Sequence, residues 1–149
     1  MRFIIVAFQT AKDGEQTKNP STFDHVNLKN AYLTLNSDRY PAVDYNLSFA
    51  IQTFSRVYGD AAFFGVKFFG MDELITQSHI TASDYKTLYP HFTFNVSKHK
   101  EKLKSSVVDI QIKPNFTENV PANTRAFALV ISDKMLSFQS DGNKLSVSY

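Results

Sequence analysis

Two segments of this chain alternate apolar and polar residues with a period of two: Phe92-Thr93-Phe94-Asn95-Val96 and Val108-Asp109-Ile110-Gln111-Ile112. Successive side chains of a β-strand point to opposite faces, so this period fits a strand with one dry and one wet face. Such strands must pair and then stack their dry face on another layer, which restricts the chain to sheet architectures. Other segments agree. Phe3-Ile-Ile-Val-Ala-Phe8 is a continuous apolar run that reads as a strand buried on both faces. Residues 26–36 read as a strand with Leu28, Tyr32 and Thr34 on one side and Ala31, Leu33 and Leu35 on the other, ended by Asn36-Ser37-Asp38 and Pro41. Residues 126–131 form a second buried run, entered through Pro121-Ala-Asn-Thr124. Residues 135–139 and 144–149 flank Ser140-Asp-Gly-Asn143, and Asp-Gly is a strong hairpin signal.

Helical period occurs in the middle of the chain. Ile51, Phe54, Tyr58, Ala61, Phe64 and Phe68 recur at spacings of three or four, with Gly59 and Gly65 weakening the far end. The expectation is one helix of about three turns over residues 49–58. A second helical turn is expected at Thr81-Ala-Ser-Asp84, which has the residue types of a capping box. Residues 11–22 are polar, contain Gly14 and Pro20, and read as a long loop. Seven or eight short strands with one or two helical insertions predict an all-β fold, an antiparallel two-sheet jelly-roll sandwich. The chain has 149 residues and no dividing linker, so residues 1–149 are expected to form one domain. The core should hold Phe94, Val108, Ile110, Ile112, Phe127 and Leu129.

Composition narrows the function classes. The absence of cysteine removes disulfides, thiolate catalysis and Cys-based metal sites together. Sixteen Lys and Arg against fourteen Asp and Glu leave a net charge of +2 with both signs scattered, so no specific nucleic-acid partner is expected. The apolar run at residues 3–8 is too short for a signal peptide, and no stretch reaches membrane-spanning length. The expected location is therefore intracellular. Asn46, Asn95 and Asn115 each open an N-x-[ST] sequon, a pattern that matters only in a secreted protein.

No catalytic residue, cofactor-binding residue or metal ligand is assigned, and an enzyme is not expected. There is no Gly-x-Ser-x-Gly elbow and no glycine-rich phosphate loop. His25 follows Asp24, but neighbours on a strand point apart, and His91 and His99 flank a strand too long for them to converge.

A series of landmarks spans nearly the whole chain. They are Phe8-Gln9-Thr10, Phe23-Asp24-His25, Asn30, Leu35-Asn36-Ser37-Asp38-Arg39-Tyr40-Pro41, Tyr58 and Phe63-Phe64-Gly65. Leu103-Lys104-Ser105, Val108-Asp109, Pro121-Ala-Asn-Thr124, Ala126-Phe127 and Leu129-Val-Ile-Ser-Asp133 continue it. In this order they resemble the double jelly-roll major capsid proteins of Polinton (Maverick) DNA elements and their adintovirus-like relatives. The chain departs from that family's pattern at Gln111, Lys113, Ala128 and around Ser132, Asp133 and Lys134, which implies a diverged or host-retained member.

The resemblance implies a chain that corresponds to the second, C-terminal jelly roll, a shell-building protein without catalysis. Its partner would be itself or a related jelly roll, assembled as a trimeric capsomer in the full-length protein, and its location would include the virion. Two candidate sites follow. Phe63, Phe64, Phe68 and Phe69 are dense aromatics that form a candidate interface, although such residues more often fill a core. Lys98, Lys100, Lys102 and Lys104 form a candidate basic patch, although the bland reading is a solvated connection between strands. The rival function is a ligand- or carbohydrate-binding module, because the same fold serves lectins. An aromatic-lined groove with exposed tyrosines would favour that rival.

Overall fold

The computed structural model describes residues 2–70, 80–98, 107–133, 136–140, 142 and 145–148. Among the described residues most elements are strands, arranged as two antiparallel three-stranded sheets with a separate hairpin and three short helices. This is the expected sandwich. The first sheet has the order β4-β1-β6, built from β4 (His91–Asn95), β1 (Phe3–Thr10) and β6 (Thr124–Ile131). The second has the order β3-β2-β5, built from β3 (Asp38–Tyr40), β2 (Leu28–Leu35) and β5 (Ile110–Phe116). β7 (Ser137–Ser140) pairs with β8 (Leu145–Ser148), Ser140 opposite Leu145, and Gly142 between them has a left-handed backbone (φ +73°).

The core lies between the two sheets. Ile4, Val6 and Phe8 of β1 and Phe92 and Phe94 of β4 face Ala31, Leu33 and Leu35 of β2. The continuous run in β1 is buried on both faces, as its composition predicts, and Phe3 and Ala7 are covered on the outer side. Leu28 differs from the expected alternation. A bulge between Leu28 and Asn30 shifts the register, so Leu28 joins the core instead of facing away from it.

The helical segment also differs. Residues 49–54 are not helical: Ser48 pairs with Thr53 across a turn that places Gln52 at φ +61° and Ile51 in solvent, 75% exposed. Phe49 and Phe54 stack on each other and bury themselves from this turn. Burying two rings outweighs the weak preference for starting a helix there. The helices lie further on. α1 (Ser55–Ala62) runs through Gly59 and α2 (Phe64–Phe69) through Gly65, ending at Gly70 in the left-handed conformation. Each interior glycine costs about 1 kcal/mol, too little to override packing of Val57 and Tyr58 into the core. α3 (Ala82–Thr87) starts as expected: the Thr81 side chain accepts the Asp84 amide.

Leu47 donates its amide to Lys29 of β2, so the segment around Tyr45 runs along the β3 side of that sheet. Tyr45 touches Phe94, which places β4 above the same side and leaves β5 and β6 together on the other. On that side, among the described residues, both sheets end in an edge strand. α1 packs against β4, while β5 and β6 have no further strand beside them among the described residues.

Candidate functional site

The β5/β6 side is where this structure departs most from the sequence-based core. Residues 126–131 form a strand, but its side chains are not buried: Phe127 is 46% exposed, Leu129 58% and Val130 43%. The register explains it. Ala126, Ala128 and Val130 lie opposite Phe8, Val6 and Ile4, so they face inward, where no further strand meets them among the described residues. Phe127 and Leu129 lie opposite Ala7 and Ile5, so they face outward. β6 therefore has the composition of an interior strand in an edge position. In the sheet below, Ile110 and Ile112 pair with Leu35 and Leu33, share their inward face and remain only partly buried. Of the six expected core residues, Phe94 is buried, Val108, Ile110 and Ile112 pack partly against the core, and Phe127 and Leu129 are exposed. The β7–β8 hairpin adds Leu136 (45% exposed) and Phe138 (63%).

The aromatic quartet is divided. Phe64 and Phe68 pack edge-on against Phe3 at 5.1 and 6.0 Å between ring centres, fastening α2 to the outer face of β1. Phe63 and Phe69 stay exposed, the latter at 70%. Only half of the quartet is thus available as a surface. Of the lysine cluster, Lys98 is exposed, and Lys100, Lys102 and Lys104 lie outside the described residues.

The landmarks at residues 8–10 and 23–25 come together at one corner. Asp24 donates its amide to the Phe8 carbonyl and accepts the Thr10 amide on its carboxylate at 2.8 Å. Lys12 reaches the same carboxylate at 3.3 Å and donates to the Thr22 carbonyl at 2.7 Å. Gln9 donates to the carbonyls of Pro20 and Thr22. These groups fold residues 11–22 back onto β1; their work is structural. His25 stacks on Phe49 with the rings 4.4 Å apart, and its Nδ1 accepts the Asn27 amide. Burial, with Lys86 adding to it and Asp24 opposing, pushes its pKa below the ordinary imidazole value. His91 is lowered too, chiefly by burial, while its Nδ1–H donates to the Tyr89 carbonyl.

A shallow cleft of about 410 Å³ beside this corner is lined by Asp24, His25, Lys86 and Thr87 among others, and a second of about 400 Å³ lies between Asp13 and Arg125. A third, of about 500 Å³, is lined by Tyr32, Lys113, Pro114 and Phe116 among others, so a tyrosine does border one of the clefts. Among the described residues, no three His, Asp or Glu side chains gather as a metal-ligand set, and no helix is long and apolar enough to cross a membrane. Beside these clefts, β6 is an apolar strand that stands at a sheet edge among the described residues. Sequence reasoning found β6 but not its position, because an apolar run reads the same in the centre of a sheet and at an edge awaiting a neighbour.

One family model, that of the double jelly roll-like domain, matches residues 1–136. No curated protein and no solved structure matches the chain.

Proposed function

Since the chain belongs to the double jelly roll-like domain family, we propose that it is a structural, shell-building protein of the capsid type that works without catalysis. On the finer scale, the proposal is the second jelly roll of a Polinton-type major capsid protein, in a diverged or host-retained form. Its partner is itself or a related jelly roll, joined as a trimeric capsomer in the full-length protein. It acts inside the cell and in the virion, without a specific nucleic-acid partner.

The observation that carries this reading is the family match over residues 1–136. The exposed apolar strand β6 supports it, because soluble proteins rarely leave contiguous apolar surface in water without a partner for it. Light scattering and negative-stain electron microscopy of the chain, alone and joined to a first jelly roll, test the proposal. Discrete oligomers with threefold capsomers in the joined form are expected. If both forms stay monomeric at high concentration while a glycan or small ligand binds specifically, the shell reading fails and the binding-module rival replaces it.

A further inference from the structure

We propose that the turn at His25-Val26-Asn27 is a pH-gated latch, closed by the neutral imidazole of His25 and opened by its protonation, which ties the connection between β5 and β6 to the start of β2. The inference is independent of the shell reading.

The chain enters β2 through a tight turn in which the Leu28 amide donates to the His25 carbonyl at 2.9 Å. Both central residues have a left-handed φ, +43° at Val26 and +51° at Asn27. A type I′ turn needs that combination, and Gly, Asn and Asp are the residues that supply it. Asn27 suits the turn. Val26 does not, because a β-branched side chain is a true outlier at positive φ, and such a residue stays there only where its surroundings fix it. Two contacts do so: Val26 packs against the core, and the Asn27 amide donates to Nδ1 of His25 at 3.0 Å.

In turns of this kind Asp or Asn commonly accepts the amide two residues on. Here an imidazole takes their place, and it can do so in one protonation state alone. A backbone N–H can only donate, so Nδ1 carries a lone pair and the ring proton sits on Nε2. Protonation would set a second N–H at Nδ1 against the Asn27 amide, replacing a hydrogen bond with two opposed donors. Val26 would then lose one of the two contacts that hold it.

Asn27 anchors a second segment. Its carbonyl accepts the Thr117 amide at 2.9 Å, and its side-chain amide donates to the Glu118 carboxylate at 3.3 Å. Residues 117–118 directly follow β5, and Pro121 further along lines the cleft beside His25. Displacing Asn27 therefore frees the start of the β5–β6 connection and leaves the strand pairing of β1 untouched. The groups around the ring decide where this happens. Phe49 stacks on it without charge, Lys86 of α3 disfavours the cation, and Asp24 beside it favours the cation while engaged by Lys12 and the Thr10 amide. Burial outweighs these charges and lowers the pKa from the ordinary imidazole value. The latch is closed above that pKa and opens as pH falls through it.

Nuclear magnetic resonance of the whole chain tests this, with the His25 ring signals and the backbone amides followed over one pH series. The Asn27 and Thr117 amides should titrate with the midpoint of the His25 ring. Thr117 protection against hydrogen exchange, corrected for intrinsic rates, should fall at least about tenfold between about pH 7.5 and about pH 5, while β1 keeps its own. His25→Asn retains an acceptor at every pH, so Thr117 should stay protected across the series. Val26→Gly accepts the left-handed backbone without help, so its loss of protection should be smaller than that of the wild type. A merely structural histidine would produce neither reversal. The proposal is overturned by Asn27 and Thr117 amides that ignore the His25 titration, or by an imidazole that stays neutral until the whole chain unfolds. A His25→Asn variant that folds and titrates as the wild type does, or an undiminished loss in Val26→Gly, overturns it equally.

Discussion

Phe92 and Phe127 occupy strands of the same sheet, yet one is 1% exposed and the other 46%. Phe92→Ala should cost about 3–5 kcal/mol, because the cavity it leaves is walled by both sheets. Phe127→Ala should cost less than about 1 kcal/mol in the monomer, since a half-exposed ring has shed little water. Chemical denaturation of both variants checks the contrast. His25 and His91 make a second prediction. Both have pKa values lowered from 6.5 by burial, so the unfolded chain takes up their protons more readily. Their contribution to stability is complete above pH 6.5 and is lost as pH falls below it through the folded values. Melting temperature should drop between about pH 7 and about pH 5, ahead of carboxylate titration, and His91→Gln should flatten that drop. A melting curve unchanged over this interval would remove the histidines from the account. None of this was legible in the sequence, where a buried and an exposed histidine look alike. The Asp24 corner was half legible: its residues stood out as landmarks, but only the fold shows that residues 8–10 and 23–25 meet.

At the scale of elements, local signals served well where one chemical group decides the outcome. Thr81 caps α3 because its hydroxyl accepts the Asp84 amide at 3.1 Å, and Asp84 in turn accepts from that hydroxyl. Thr81→Ala should cost about 1 kcal/mol, with the loss felt at Tyr85, whose hydroxyl donates to the His91 carbonyl at 2.6 Å and ties α3 to β4. Faster amide exchange in residues 82–87 than in β1 would be the signature. Period alone served less well. Phe54, Tyr58 and Ala61 sit at helical spacing, but the first is only the N-cap of α1, its carbonyl accepting the Tyr58 amide, and the other two lie within the helix. Aromatic rings reach a core from turns as readily as from helices, so their spacing cannot date the first helical turn. The bulge at Leu28 misled for a similar reason: one extra residue changes which side is inward, and nothing in the residue types announces it.

For the molecule as a whole, the alternation of residues fixed a sandwich, and it left open which strands stand at the rim. That distinction is topological. It depends on which strands find neighbours, and a strand of apolar residues carries no mark of how many it has. The strand order has a further consequence, for the birth of the protein on the ribosome. β1, the central strand of its sheet, precedes both of its partners by a long way, since Phe3 meets Asn95 and Ile131; β2 finds β3 at once but meets β5 late, Leu35 opposite Ile110. The most water-averse segment of the chain therefore leaves the exit tunnel long before anything can cover it. Local contacts cannot shelter it in the meantime, since its partners are non-local and their closure is slow. Nascent chains released before β6 is complete should be trapped by chaperones or lost to aggregation. Arrested chains ending near residue 120 should be protease-sensitive throughout, while those with β6 clear of the tunnel should resist at β1.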